Sequence, residues 1–172
     1  MNSELDDLLA ILERAPAALR TLLRGLPTRA PTGTRDDWDP HAVLGHLIHG
    51  EETDWLPRLE IILQHGEAWP FVPFDRLAQF EHWGDRPLDE LLDIFAQRRA
   101  HNLDRLRALR LTPGQLALRG THPELGTVTL GQLLAAWAVH DLNHIGQIAE
   151  GLANPYAQAV GPWRAYLDIL NR

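Results

Sequence analysis

The chain contains no cysteine and no lysine. Without cysteine there is no disulfide scaffold, and zinc sites of the Cys₄ or Cys₂His₂ type are excluded. Any transition metal has to be held by histidine, carboxylate and water. Without lysine every basic residue is an arginine, and 16 of them face 23 acidic residues for a net charge of −7. That balance argues against nucleic acid, whose phosphates call for clustered cations. Arg98, Arg99, Arg105, Arg107 and Arg110 share one segment, but at least one of them falls on a core-facing stripe. Long apolar runs are missing too: none approaches the roughly 18–20 residues that span a bilayer. The opening MNSELDDLLA is acidic and carries no basic signal-peptide region. The expectation is a cytoplasmic protein with neither membrane nor nucleic acid as partner.

What is present is enough for a core. The 172 residues are 45% apolar with six tryptophans, consistent with one domain over 1–172. Leucines recur at helical spacing from Ser3 to Arg24, with Ser3 as cap and Asp6 as a weak capping-box partner. Gly25–Asp37, with Pro27, Pro31 and Gly33, reads as a loop. Asp39-Pro40 starts a second helix running to about Gln64. Gly66–Pro87 is a long, proline-rich crossover with one short helix near Phe74–Glu81. A third helix spans about Pro87–Leu109. Thr112–Thr127 is irregular, with a turn of helix after Pro113. Thr129 and Gln132 form a capping box for a fourth helix, and a short fifth covers about Tyr156–Leu170. No strand alternation is visible. The sum is an all-α, antiparallel-type four-helix bundle with a long helix 2–3 crossover and a short C-terminal fifth helix.

Nine histidines are many for this length. His41, His65, His82, His101 and His122 read as surface or capping residues. His140 and His144 differ. Four helical residues turn roughly 400°, so their imidazoles stack on one side of the fourth helix and suit one metal ion. They flank its apolar stripe, where a cleft between helices would open. The segment HLIHGEE at His46–Glu52 is the best supplier of a third ligand. Periodicity leaves His46, His49 and Glu51 open, and places His46 nearly opposite the centre of the second helix's stripe. Three protein ligands would leave a coordination position free, as in a working metal.

Three charged residues sit where apolar ones are expected: Glu51, Arg99 and Asp141 each lie on the core stripe of a different helix. Unpaired burial is costly, so they should meet, with arginine as the bidentate partner of both carboxylates. Such a cluster either fixes helix register or orients the metal-binding imidazoles from behind. Gln147 lies just beyond His144 on the same flank.

These residues resemble the DinB-like (DNA-damage-inducible) superfamily of metal-dependent enzymes. Its first pattern, His-x-x-x-x-Glu, is matched by His46 to Glu51. Its second, His-Asp-x-x-His-x-x-Gln, is matched by His140, Asp141, His144 and Gln147. Trp38, the GTVTLGQLL lead-in and the GPWRAYL tail extend the likeness over nearly the whole chain. The resemblance implies a divalent transition metal, with Zn or Ni foremost, on His46, His140 and His144. It implies a homodimer, and an activity such as thiol S-transfer with a low-molecular-weight thiol on a small-molecule substrate. Hydrolysis by metal-bound hydroxide fits the same ligands, with Glu51 as the best general base. The alternative is a non-catalytic, metal- or small-molecule-binding stress-response bundle.

Overall fold

A computed structural model describes residues 3–25, 38–83 and 86–171. The expected loop with Pro27, Pro31 and Gly33, and the side chain of the Ser3 cap, lie outside the described residues. The helices are α1 (Ser3–Leu23), α2 (Pro40–Thr53), α3 (Trp55–His65), α4 (Ala78–Trp83), α5 (Leu88–Ala108), α6 (Pro113–Leu116) and α7 (Leu130–Ala153). No helix among the described residues is long and apolar enough to cross a membrane.

Local chemistry sets several boundaries. Asp39 Oδ1 accepts from Ala42 N–H at 2.8 Å with Pro40 at the first helical position, so α2 starts as expected. It does not run on to Gln64. Pro57 has no N–H for the Thr53 carbonyl and its ring crowds that carbonyl. The chain breaks at Asp54 (φ −111°, ψ −67°) and restarts as α3. Thr129 and Gln132 cap α7 reciprocally. The expected fifth helix is instead three 3₁₀ turns, Asn154–Tyr156, Gly161–Tyr166 and Asp168–Leu170. Pro155 and Pro162 remove donors there, and Gly161 takes a positive φ of 54°.

The sequence reading missed a β-hairpin. Strands β1 (Arg119–His122) and β2 (Gly126–Thr129) pair antiparallel, with Gly120 opposite Val128. Phe71 N–H donates to Thr121 O, which ties the crossover to the hairpin. Gly120 lies so close to α3 that a Cβ there would stand 2.7 Å from Ile62 Cγ1.

The bundle consists of α1, the α2–α3 pair, α5 and α7. Helix α1 packs on α5 and α7, and the α2–α3 pair packs on the same two from the other side. Two apolar clusters fill its ends. One holds Leu12, Leu59, Leu103 and Leu134; the other holds Leu19, Leu44, Leu92 and Ile148. Residue numbers therefore rise from the second cluster to the first along α2–α3 and α5, and in the opposite sense along α1 and α7. The order is up–down–down–up, so α2–α3 and their neighbour α5 run parallel. This corrects the antiparallel expectation and explains the long crossover, which must return the chain to the end from which α2 started. Between the two clusters lies a polar layer of Glu51, Arg99, Asn102 and Asp141, all buried.

Candidate metal centre

The polar layer is tightly paired. Arg99 Nε and Nη2 donate to Glu51 Oε1 at 3.1 and 2.7 Å. Its Nη1 and Nη2 donate to Asp141 Oδ2 and Oδ1 at 2.5 and 3.1 Å. Arg99 Nη1 also donates to Leu12 O at 2.8 Å. That carbonyl is free because Pro16, four residues on in α1, has no N–H to give it. Asn102 Nδ2 donates to Glu51 Oε2 at 3.0 Å, and Trp137 Nε1 donates to Oε1 at 2.9 Å. Burial works against the Arg99 charge, but Asp141 and Glu51 outweigh it and hold the guanidinium's pKa above its usual value. One cation faces two carboxylates, so the layer carries a formal excess of one negative charge.

Asp141 follows His140 on α7 and turns inward to Arg99. His140 Nε2 lies 3.0 Å from His46 Nε2 and 3.1 Å from His144 Nε2. The structure thus brings His46, His140 and His144 together. His49, the other histidine on the shortlist, faces Phe74 and His82 instead. Periodicity misplaced His46 because it assumes one buried face. Here α4 covers the back of α2, with Trp83 Cβ only 3.3 Å from where a Cβ on Gly45 would be. Val43–Glu51 is consequently buried on every side.

The outward nitrogens of two rings are fixed. His46 Nδ1–H donates to Gln79 Oε1 at 3.2 Å, and His144 Nδ1–H donates to Gln147 Oε1 at 2.8 Å. A proton on Nδ1 leaves a lone pair on Nε2. Two lone pairs therefore face His140 Nε2, which has at most one proton to share. Burial, reinforced by the neighbouring imidazoles, pushes the His46 pKa down to about 3 and that of His140 to about 2. His46 and His140 are thereby held as neutral bases. Trp38 lies over His46 and stacks on His144, Phe74 meets the edge of His46, and Trp55 meets His140.

A divalent ion fits this donor set. Nitrogens bound at about 2.1 Å to one ion, at tetrahedral or octahedral angles, stand roughly 3.0–3.4 Å apart. The two measured separations are at the short end of that range. The excess lone pairs favour a cation.

The model of the DinB superfamily matches residues 11–148. The chain belongs to the DinB superfamily. Among solved structures it is similar to YfiT from Bacillus subtilis, at 22% identity and a TM-score of 0.74, over 94% of this chain and 90% of that one. YfiT is described as a probable metal-dependent hydrolase with an unusual four-helix bundle topology. At that identity the likeness carries the fold. The comparison with curated proteins found no match.

In this DinB chain Glu51 does not turn toward the histidines as a general base would. Its side chain is fully buried and its oxygens already accept from Arg99, Asn102 and Trp137. It is linked to the site through Trp137, which stacks on Trp55, which in turn meets His140, and through Arg99 and Asp141. Gln147 holds His144 from the expected place. Its counterpart on His46, Gln79, was not legible in sequence: it is brought in by the crossover helix. Gln79→Leu should weaken metal binding by about 10–100-fold with the fold retained, as read by competition against a chromogenic chelator. An unchanged affinity would remove Gln79 from the site.

Two of the three rings, His46 and His140, border a cavity of about 240 Å³ lined also by Asp54, Arg58, Phe74 and His122. His122 was expected at the surface; the missed hairpin delivers it to this wall. Of the crossover aromatics, Phe74 lines the cavity, Phe71 is core, and Trp69 and Phe80 are exposed.

Proposed function

We propose that His46, His140 and His144 hold one divalent transition metal, Zn or Ni foremost, and that the chain is a metal-dependent enzyme acting on a small molecule in the adjoining cavity. The convergence of three Nε2 atoms, two of them on rings whose Nδ1–H is already held by a glutamine, supports this reading. Such an ion supplies Lewis acidity and brings a bound water or thiol toward ionisation near neutral pH. The chain's own residues do the rest. Gln79 and Gln147 keep two ligands in the required tautomer. Asp141 and Arg99 lock the α7 backbone beneath the ligand pair. Trp38 and Phe74 shield His46 from bulk water.

Hydrolysis of a small molecule is the favoured reaction, in keeping with the description of YfiT. Thiol S-transfer is the finer reading implied by the family resemblance. It requires the thiol as a cosubstrate, since the chain has no cysteine. We take the protein to be cytoplasmic, a single bundle domain and a homodimer; sedimentation velocity tests the last.

Elemental analysis of protein purified without an affinity tag, beside a His144→Ala variant, is the decisive experiment. We expect about one equivalent of transition metal, lost in the variant. No metal in either, even after added Zn²⁺ or Ni²⁺, would leave a non-catalytic stress-response bundle as the better description.

A further inference from the structure

The cavity beside the histidines contains a second chemical feature, on α3. Arg58 is 8% exposed and lies on the cavity wall. Its guanidinium rests over the Phe71 ring at 5.3 Å. Asp54 Oδ1 stands 2.6 Å from its Nε and pairs with it on that side, leaving the two Nη groups of the fork to face elsewhere. Nη2 reaches only the Val72 carbonyl, at 3.5 Å. Of five N–H donors, most have no partner among the described residues. A buried guanidinium is normally saturated, because each unmet donor forfeits its hydration. Burial also depresses the Arg58 pKa, and Asp54 only partly offsets it.

The helix break explains why Arg58 is there. Pro57 ends α2 at Thr53, and the restart turns Asp54 and Arg58, one helical turn apart, toward the cavity. Trp55, between them in sequence, meets His140 at 5.1 Å between ring centroids. At 1.5 Å rise per residue, Arg58 stands about 4.5 Å along the axis from Trp55. A small molecule can bridge the two. The other charged side chains on the wall are Arg76 and Glu124, so two arginines balance two carboxylates. A divalent ion on the histidines tips that balance positive.

We infer that the cavity takes a small carboxylate-bearing ligand, with its anionic end received by Arg58 and its reacting end where His46 and His140 form the wall. This rests on the metal reading above. Arg58 is fork-shaped and planar, which matches a carboxylate in two hydrogen bonds. Asp54 positions the fork from behind. Neutral ligands of the same length lack the group that would satisfy it.

The test uses cobalt-loaded protein, whose visible spectrum reports a thiolate at the metal. Mercaptopropionate and mercaptobutyrate are titrated beside their amides, with cobalt content measured in each sample. At least one acid should bind about tenfold or more tightly than its amide. The preference should fall toward parity in Arg58→Gln and partly return in Arg58→Lys. Equal affinities of acid and amide in the unaltered protein overturn the inference, and that comparison needs no variant to fold. A preference that survives intact in Arg58→Gln overturns it as well. Failure to load cobalt is a separate outcome: it overturns the metal reading, and this inference with it.

Discussion

Arg99→Met is expected to destabilise the protein by about 3–5 kcal/mol, a large share of the about 5–15 kcal/mol that holds a typical domain folded. The guanidinium is 1% exposed and makes five hydrogen bonds, to Glu51, Asp141 and the Leu12 carbonyl. Methionine fills much of the volume but leaves two carboxylates buried without a cation. It also strands the carbonyl that Pro16 left free. The loss should be far smaller when the charges are removed together. Glu51→Leu/Arg99→Met/Asp141→Leu exchanges a buried ion cluster for apolar side chains, a change that is often neutral or stabilising. Here Trp137 Nε1 and Asn102 Nδ2 would lose their acceptor, so partial recovery is expected. Urea unfolding of the single and triple variants measures both. If the single variant is as stable as the unaltered chain, the layer does not hold the two apolar clusters together. The triple variant answers a second question. It should bind metal more weakly, since Arg99 and Asp141 no longer tie α7 in place beneath the ligand pair.

The polar layer shows which features a sequence displays and which it hides. Glu51, Arg99 and Asp141 stood out because each interrupts an apolar stripe, and burial then forces charges to find one another. His140 and His144 stood out because their spacing is fixed within one helix. In both cases a local regularity carried the information. Pro16 was equally visible, but its consequence depended on α5 lying alongside α1, which no single helix reveals. Pro57 was visible as well and should have divided the second helix.

His46, Gln79, Arg58 and His122 were harder for a different reason. They meet across the crossover, the helix break and the hairpin, and no period in the sequence relates them. The stripe arithmetic put His46 on an outer face because it had no knowledge that α4 would cover α2. Family resemblance selected His46 where periodicity had left three choices. The hairpin escaped because its strands have four residues each and its inward position is a glycine, which gives no hydrophobic alternation. Its packing depends on the missing side chain: Gly120 lets β1 lie against Ile62 and Phe71.

Stability of the metal-free protein should fall steeply as the pH drops below about 6.5, by roughly 2–3 kcal/mol per pH unit from two histidines together. The cause is burial. In the folded chain it holds the His46 and His140 pKa values at about 3 and about 2, whereas unfolded imidazoles titrate near the ordinary value of 6.5. Above 6.5 both states are neutral and the buried rings cost nothing in protons. Below it the unfolded chain binds two protons that the folded chain refuses, so the stability present at pH 7 is lost progressively toward pH 3. Carboxylates such as Asp141 titrate in the acid range too, which is why the comparison must be made against His140→Gln. That variant removes one of the two protons and should reduce the slope between pH 6 and pH 5 by about 1.4 kcal/mol per unit. Urea midpoints across that interval, for chelator-treated protein and variant, give the two slopes. Equal slopes would mean that His140 already accepts a proton in the folded state. Saturating Zn²⁺ should raise the whole curve, by about 2.7 kcal/mol at a hundredfold excess over Kd. The gain should persist to lower pH than at a site of exposed histidines, because rings that refuse protons leave their lone pairs to the ion.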